Sequence, residues 1–222
     1  REVTKKHGVV LIFDEVVTGF RVSRTGAQGR FGVLPDLTTL AKIVAGGLPG
    51  GAVAGKRELL DMIQHRGDPE WDTRKRVSHP GTFNANPLSS AAGATCLELL
   101  EREPINEQAE RMAERLKRGF SEVLGRLEVP GCAFGVGAIV HLNLGVAHDC
   151  PGDFCSLSHE EIKRAARPQV TAALKRAMLN NGVDPMGGGR FLLSGVHQER
   201  DVDHTVEALE RSLRAIRAEG LL

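Results

Sequence analysis

The feature that most constrains the fold of this sequence is an apolar run close to its start. Residues 9–13 read VVLIF, and the run stops abruptly at Asp14 and Glu15. Uninterrupted runs rich in β-branched residues are typical of strands that are buried on both faces of a parallel sheet. The sequence therefore predicts an α/β fold in which a carboxylate stands at the carboxyl end of a buried strand.

The composition excludes several classes of protein. Hydrophobic residues make up 41% of the 222 residues. No apolar stretch approaches the roughly 20 residues that a membrane-spanning helix needs. Lys plus Arg total 29 against 28 for Asp plus Glu, so the totals indicate no basic surface for nucleic acid. We therefore expect neither a membrane nor a nucleic acid as a partner.

Cysteine usage and the first residues bear on the cellular context. The four cysteines, Cys96, Cys132, Cys150 and Cys155, form no C-x-x-C pair and are too few for a disulfide scaffold. No secretory signal opens the sequence, which favours a cytoplasmic protein with free thiols. The chain begins REVTKKHG, without Met, and then enters the apolar run directly. We therefore expect it to be a piece of a longer protein.

The pattern of the chain changes character near Pro104. Before it, the sequence predicts strands at 9–13, 37–41 and 51–55 and helices at 56–65 and 87–101. After it, helical and alternating patterns predict helix, strand, helix, strand and helix at 106–128, 140–144, 158–181, 191–196 and 202–216. Pro168 either kinks or splits the helix predicted at 158–181. We expect an α/β segment, residues 1–103, followed by a small α+β domain, residues 104–222.

Asp14 and Lys42 are the residues that most suggest chemistry. Open α/β sheets bind ligands at the carboxyl ends of their strands, although an aspartate there often only closes a turn. Lys42 lies among apolar and small neighbours. A desolvated lysine becomes a usable amine nucleophile, although a lysine at a helix start also commonly extends into solvent. Each residue alone leaves both interpretations open.

Three segments taken together narrow the choice. They read DEVVTGFR from Asp14, PDLTTLAKIVAGGLPGGAVAG from Pro35 and PGTFNANPLSSAAG from Pro80. In this order and spacing the chain resembles the class III aminotransferases, which are fold-type I enzymes dependent on pyridoxal phosphate (PLP). Within that family it is most similar to the glutamate-1-semialdehyde aminomutase branch. The 28 positions from Asp14 to Lys42 match the family's usual interval.

The resemblance implies a role for several residues. Asp14 would keep the pyridine nitrogen of PLP protonated, and Lys42 would hold the cofactor as a Schiff base and move protons. Val16 would pack against one face of the ring if the strand continues that far. Thr82 would contact the cofactor phosphate of the neighbouring subunit, which makes a homodimer part of the site. Residues 1–103 would be the carboxy-terminal part of the large PLP-binding domain, a mainly parallel sheet with helices.

The resemblance also predicts what lies outside this sequence. The family's main phosphate-binding loop, its ring-stacking aromatic residue and the residues that bind substrate carboxylate would precede residue 1. The chain contains no Tyr and a single Trp, Trp71, in a polar segment. We therefore expect a carboxy-terminal portion of roughly half a typical family member, with an incomplete active site.

The predicted function is PLP-dependent transfer of an amino group. An aminomutase would move the group between adjacent carbons of glutamate 1-semialdehyde and so form 5-aminolevulinate. A general class III aminotransferase would pass it between an amine or amino acid and a keto acid, using the same Lys42 and Asp14. The rival of a different class is a non-catalytic dimerisation module, in which the truncated chain folds or pairs without chemistry.

A group of potential metal ligands lies in the second segment. His141, His148, Cys150, Cys155 and His159 are close in sequence, but their spacings match no standard zinc pattern. A polar loop accounts for them better, and we predict no metal site.

Two arginines are further candidates for a role. Arg190 follows three glycines, residues 187–189, which match no known phosphate-binding loop. Its guanidinium either binds a substrate carboxylate or has a structural role, since the group suits bidentate recognition of carboxylates. Arg21, in the TGFR segment, is interpreted as structural.

Overall fold

The computed structural model describes residues 1–146, 148, 150, 153–165 and 167–222. By their internal contacts the residues form two compact units, Arg1–Pro104 and Ile105–Leu222. None of the helices in these described ranges is long and apolar enough to cross a membrane.

The first unit contains a three-stranded sheet and several short helices. Its elements are α1 (Glu2–Lys6), β1 (Ile12–Glu15), α2 (Gly26–Phe31), β2 (Leu37–Ala41), β3 (Gly51–Gly55), α3 (Arg57–Leu60) and α4 (Pro87–Arg102), with 3-10 turns at Lys42–Ala45 and Asp61–Ile63 and a π turn at Trp71–Lys75. The strands lie in the order β1-β2-β3. The two strands predicted at 37–41 and 51–55 are confirmed at those bounds, whereas the helix predicted at 56–65 is shorter.

The sheet is mixed rather than mainly parallel. β1 runs parallel to β2, and β3 runs antiparallel to β2. A parallel pair needs a crossover connection, which the segment containing α2 provides. The nine residues between β2 and β3 reverse the chain direction, so β3 returns beside β2 in the opposite direction.

The first strand is less buried than its sequence predicts. β1 starts at Ile12, and the side chains of Val9, Val10 and Ile12 are 56%, 45% and 54% exposed. β1 is an edge strand of the described sheet. The prediction of a strand buried on both faces is therefore wrong for this chain. An apolar run shows that a strand can be buried, but the layers packed on it decide whether it is.

Asp36 connects the start of β2 to three other segments of the first unit. Its carboxylate accepts hydrogen bonds from the Arg1 guanidinium, at 2.6 and 2.8 Å, and from the Leu11 backbone N–H, at 2.8 Å. The Lys56 ammonium, just after β3, lies 2.7 Å from the same carboxylate. The hydrogen bond from Arg1, followed by those from Leu11 and Lys56, holds the pKa of Asp36 well below its usual range. This carboxylate therefore stays ionised and joins the segments that flank the three strands at one end of the sheet.

The second unit has three antiparallel strands covered by long helices. Its elements are α5 (Ile105–Arg126), β4 (Gly131–Phe134), β5 (Ile139–Leu144), α6 (His159–Ala165), α7 (Pro168–Asn180), β6 (Arg190–Leu192) and α8 (Glu199–Ala218). The strand order is β4-β5-β6. Phe120 of α5, Leu174 of α7 and Leu213 of α8 are almost fully buried in one shared core. The apolar stripe predicted along the first helix faces this core, as its helical spacing indicates.

The starts of two helices of the second unit follow from their local sequence. The Ser158 hydroxyl accepts from the Glu161 backbone N–H, and the Glu161 carboxylate accepts from the Ser158 backbone N–H, so a capping box precedes α6. Pro168 splits the predicted helix and starts α7 at its first position, where its missing N–H costs nothing. The strand predicted at 191–196 ends at Leu192.

Candidate active site

Asp14 and Lys42 lie at the same edge of the first sheet. Asp14 is in β1, Lys42 directly follows β2, and the parallel pairing of these strands places their carboxyl ends together. Pairing sets Asp14 opposite Thr39, whose hydroxyl donates a 3.3 Å hydrogen bond to Asp14 Oδ1. The carboxylate and the amine that the motifs single out are therefore brought to one place by the fold.

The backbone of Val16 joins the two residues. Its N–H donates to Asp14 Oδ1 at 3.0 Å, and its carbonyl accepts from Lys42 Nζ at 3.4 Å. β1 ends at Glu15, so Val16 lies in a turn and the strand does not continue to it. The hydrogen bonds described for Val16 are made by its main chain, and its packing against the cofactor ring stays a prediction.

Lys42 occupies an unusual backbone position. Its φ of 55° lies in the left-handed region, which non-glycine residues seldom adopt. It opens the 3-10 turn Lys42–Ala45, which ends at Gly46, also left-handed with φ 62°. Strained residues of this kind persist where the surroundings hold them and are concentrated at functional sites.

Helix α4 holds that turn in place by close backbone contact. A Cβ added to Gly46 would lie 2.4 Å from the Ala92 carbonyl oxygen, and one added to Gly93 would lie 2.4 Å from the Val44 carbonyl oxygen. The small residues Ala92 and Gly93 of this helix therefore allow it to pack tightly against the turn that carries Lys42. The helix starts with Pro87 at its first position, and the Asn86 side chain accepts from the Ser89 N–H at 3.1 Å.

The environment of the lysine differs from the one its neighbours in sequence suggest. The flanking apolar residues predict a desolvated amine, but the Lys42 side chain is exposed in the structure. Sequence neighbours point in different directions at the end of a strand, so they do not enclose one another. Asp14 is exposed as well. The first unit positions both groups and leaves them accessible.

Glu15 is a structural residue that the sequence interpretation missed. Its side chain is only 1% exposed and accepts hydrogen bonds from the backbone N–H groups of Ala27, at 2.7 Å, and Gln28, at 3.1 Å. The Thr18 hydroxyl donates a third, at 3.0 Å. Glu15 thereby satisfies the first turn of α2 and fixes the loop after Asp14. The only available signal was its place beside Asp14 at the end of the apolar run.

Thr82 lies in an exposed turn that leads into α4. The turn is held by the Asn84 N–H donating to the Gly81 carbonyl at 3.0 Å and by the Asn84 side-chain amide donating to the His79 carbonyl at 3.0 Å. Phe83, beside Thr82, is 67% exposed. The structure thus presents Thr82 on the surface of the first unit.

Arg190 belongs to the second unit. It starts β6, pairs with His141 of β5, and lines a cavity of about 340 Å³ together with residues 187–189. Burial, and then the positive charge of Arg190, lower the pKa of His141, and its ring stacks on Phe134 with centroids 5.3 Å apart. His141 is therefore a neutral, packed ring, whereas His159 is exposed at the start of α6.

The family to which the chain belongs follows from comparison with known proteins. Residues 1–171 match the profile of the aminotransferase class-III family. The chain belongs to the class-III aminotransferases, and the resemblance carried by the three sequence motifs is confirmed.

Individual relatives extend this likeness over nearly the whole chain. It is 55% identical over 220 residues to glutamate-1-semialdehyde 2,1-aminomutase of Sulfolobus acidocaldarius, covering 97% of this chain and 48% of that protein. An omega-transaminase from Sphaerobacter thermophilus superimposes with a TM-score of 0.81 at 30% identity, over 97% of this chain and 46% of that one. A transaminase with PLP bound superimposes with a TM-score of 0.79 at 28% identity, over 100% of this chain and 48% of that one. The chain spans about half the length of the curated relatives it matches.

Proposed function

We propose that this chain supplies the lysine and the nitrogen-binding carboxylate of a PLP-dependent enzyme that transfers amino groups. The observation that carries the proposal is the placement of Asp14 and Lys42 at one strand edge, joined through the main chain of Val16. Membership of the class-III aminotransferases supports it. When bound, PLP acts as an electron sink for charge that develops on the substrate carbon.

The residues present fit such a cofactor. Both hydrogen bonds to Asp14 end on Oδ1, so within the described part of the chain Oδ2 remains available to a protonated ring nitrogen. A carboxylate beside a heterocyclic nitrogen favours the protonated form of that nitrogen. The Lys42 amine is exposed and makes one 3.4 Å contact to a carbonyl, which a covalent partner can replace. Lys42 is thus able to hold the cofactor and then to carry a proton at Nζ.

We assign the two compact units to parts of a fold-type I enzyme. Residues 1–103 are proposed to be the carboxy-terminal part of the large PLP-binding domain, and residues 104–222 the small α+β domain. The solved transaminases that superimpose on nearly the whole chain support this assignment.

Arg190 is proposed to contribute a carboxylate contact for substrate from the small domain, since its guanidinium is exposed at the cavity beside residues 187–189.

The substrate proposed is glutamate 1-semialdehyde. The 55% identity to an aminomutase favours this reaction over transfer to a separate keto acid. The second candidate is a class III aminotransferase acting on another amine, which the likeness to an omega-transaminase favours. An assay with glutamate 1-semialdehyde alone separates them: formation of 5-aminolevulinate without an added keto acid is expected, and a strict need for a keto acid would contradict the aminomutase proposal.

A homodimer is part of the proposal, with Thr82 binding the cofactor phosphate of the neighbouring subunit. Its position in an exposed turn supports this role. None of the four cysteines forms a disulfide in the described part of the chain, which supports the proposed cytoplasmic location. We expect Thr82→Ala to weaken PLP binding while leaving the oligomeric state measured by light scattering unchanged. A monomeric wild-type protein that retains PLP would contradict this arrangement.

The decisive experiment traps the cofactor on Lys42. The protein is expressed from its complete gene, incubated with PLP, reduced with borohydride and digested for peptide mass spectrometry. A phosphopyridoxyl group is expected on the peptide that contains Lys42. It should be lost in Lys42→Ala and retained in Lys6→Ala, a change of an exposed lysine in α1.

Asp14→Asn tests the second half of the proposal. The amide keeps the shape of the side chain but lacks the charge that protonates the ring nitrogen. We expect PLP to be retained and kcat to fall by about 100-fold or more, the cost typical of losing one preorganised electrostatic contact. If neither variant changes cofactor capture or turnover, the chain is better described as a non-catalytic dimerisation module.

A further inference from the structure

A cluster of one histidine and three cysteines lies in the second unit, whereas Asp14 and Lys42 belong to the first. Cys132 belongs to β4, and His148, Cys150 and Cys155 follow β5. One ligand atom from each of the four lies within 4.8 Å of every other. Cys132 is buried and the other three are half-buried. The prediction of no metal site rested on spacing along the chain, which leaves out Cys132 because a different strand contributes it.

The distances centre on the histidine ring. His148 Nε2 lies 2.9 Å from Cys132 Sγ and 3.0 Å from Cys155 Sγ. His148 Nδ1 lies 2.9 Å from the Val146 carbonyl oxygen. A carbonyl only accepts, so Nδ1 carries the proton, and in the neutral ring the Nε2 lone pair is directed at the thiols. A histidine that ligates a metal is held in the same way, by its other N–H donating to a backbone carbonyl.

We propose that Cys132, His148, Cys150 and Cys155 bind one Zn²⁺ ion as a structural Cys₃His site. Neighbouring ligand atoms around tetrahedral zinc lie about 3.5–3.8 Å apart, given metal–ligand distances of about 2.0–2.3 Å. The observed separations, from 2.9 Å up to 4.8 Å, bracket those values. Four protein ligands complete the coordination, which is the arrangement of structural rather than catalytic zinc.

The chemistry of the ligands selects this metal. Thiolate and imidazole suit zinc, whereas calcium and magnesium require oxygen ligands. Three sulfur atoms packed around one imidazole nitrogen repel one another as thiolates and form only weak hydrogen bonds as thiols. A divalent cation removes both costs. A disulfide would use two of the sulfurs and leave no role for the ring of His148.

The site would attach the segment carrying His148, Cys150 and Cys155 to β4. His148 also lines the cavity that Arg190 lines. Metal binding would therefore hold one wall of this cavity in place. The proposal is independent of PLP, so it stands or fails separately from the proposed function.

The experiment measures metal in protein expressed from its complete gene in zinc-supplemented medium and purified under reducing conditions without a metal-affinity step. Mass spectrometry of the elements is expected to find about one zinc per chain. Cys150→Ser and Cys155→Ser should lower zinc affinity by more than about 100-fold, because outer-shell partners alone contribute about 10- to 100-fold. Cys96→Ser, which alters the cysteine of α4, should retain the full metal content.

Two further readouts separate a built site from loose binding. Cobalt in place of zinc should give the strong visible absorption of tetrahedral thiolate coordination. Removing the metal with a chelator should lower the thermal unfolding midpoint of the wild type and of Cys96→Ser, but not that of Cys155→Ser. The half-buried positions are chosen because replacement of the buried Cys132 could disturb folding by itself.

Several outcomes would overturn the proposal. They are wild-type protein without zinc, equal zinc content in Cys96→Ser and Cys155→Ser, or a disulfide between cysteines of the cluster in protein kept under reducing conditions. Each is read directly from the metal content or from the mass of the unreduced peptides.

Discussion

At the scale of single residues, the two carboxylates that end β1 have opposite surroundings. Side chains alternate along a strand, so Asp14 and Glu15 point to different faces of the sheet. Asp14 is exposed beside Lys42, whereas Glu15 is buried and accepts hydrogen bonds from the first turn of α2. One residue is therefore available for chemistry and its neighbour holds the loop that follows it.

Replacing Glu15 should lower the free energy of unfolding, because its buried hydrogen bonds are lost. Glu15→Ala leaves the N–H groups of Ala27 and Gln28 without their acceptor, and we expect a loss of about 1–3 kcal/mol in the free energy of unfolding. Glu15→Gln keeps one accepting oxygen and should lose less. Urea unfolding provides the measurement, with Glu58→Ala, an exposed position in α3, as the control. Equal stability of Glu15→Ala and Glu58→Ala would rule out the capping role.

At the scale of elements, the turn that carries Lys42 depends on its packing against α4. Gly46 and Gly93 allow the two backbones to approach more closely than any side chain permits. The left-handed φ of Lys42 is held by this contact and by the end of β2. The position of the amine is thus a property of the helix and the turn together.

Two glycine substitutions test this contact against a matched control. The Cβ of Gly93→Ala would meet the Val44 carbonyl oxygen at 2.4 Å, whereas that of Gly125→Ala, within α5, meets nothing within 4 Å. We expect Gly93→Ala to lower the free energy of unfolding by about 1–3 kcal/mol, the usual cost of overpacking. Gly125→Ala should raise it by up to about 1 kcal/mol through helix propensity. Chemical unfolding with both variants decides the matter: a Gly93→Ala protein as stable as Gly125→Ala would contradict tight packing.

At the scale of the whole molecule, apolar burial is unevenly distributed. The main core described lies in the second unit, mostly on α5, α7, α8 and the second sheet. The first unit exposes large apolar side chains along β1 and in its loops, among them Val9, Ile12 and Leu34. Local stability follows the amount of apolar contact that a region makes.

Hydrogen exchange should therefore differ between the two units of the 222-residue chain. We expect slow exchange of backbone amides in α5, α7 and α8 and faster exchange in β1, β2 and β3. Exchange measured by mass spectrometry on peptides from each segment gives the comparison. Equal protection of the first sheet and the α5–α8 core would show that burial within each unit does not set its local stability.

The sequence by itself determined much of this protein. The family follows from three motifs, because Asp14, Lys42 and the glycine-rich turns occur in one order and spacing. The long helices follow from apolar periodicity, and the start of α7 follows from Pro168. These features are local in the chain, where spacing, capping and backbone restriction act over a few residues.

Only the tertiary structure decided the remainder. The exposure of β1 depends on which layers cover it. The role of Glu15 depends on a helix that begins eleven positions later at Gly26. The cluster of one histidine and three cysteines depends on the pairing of β4 with β5. Each involves groups that are separated along the chain and meet only when the chain folds. Sequence periodicity shows which face a residue occupies within its own element, but it does not show which distant group lies opposite.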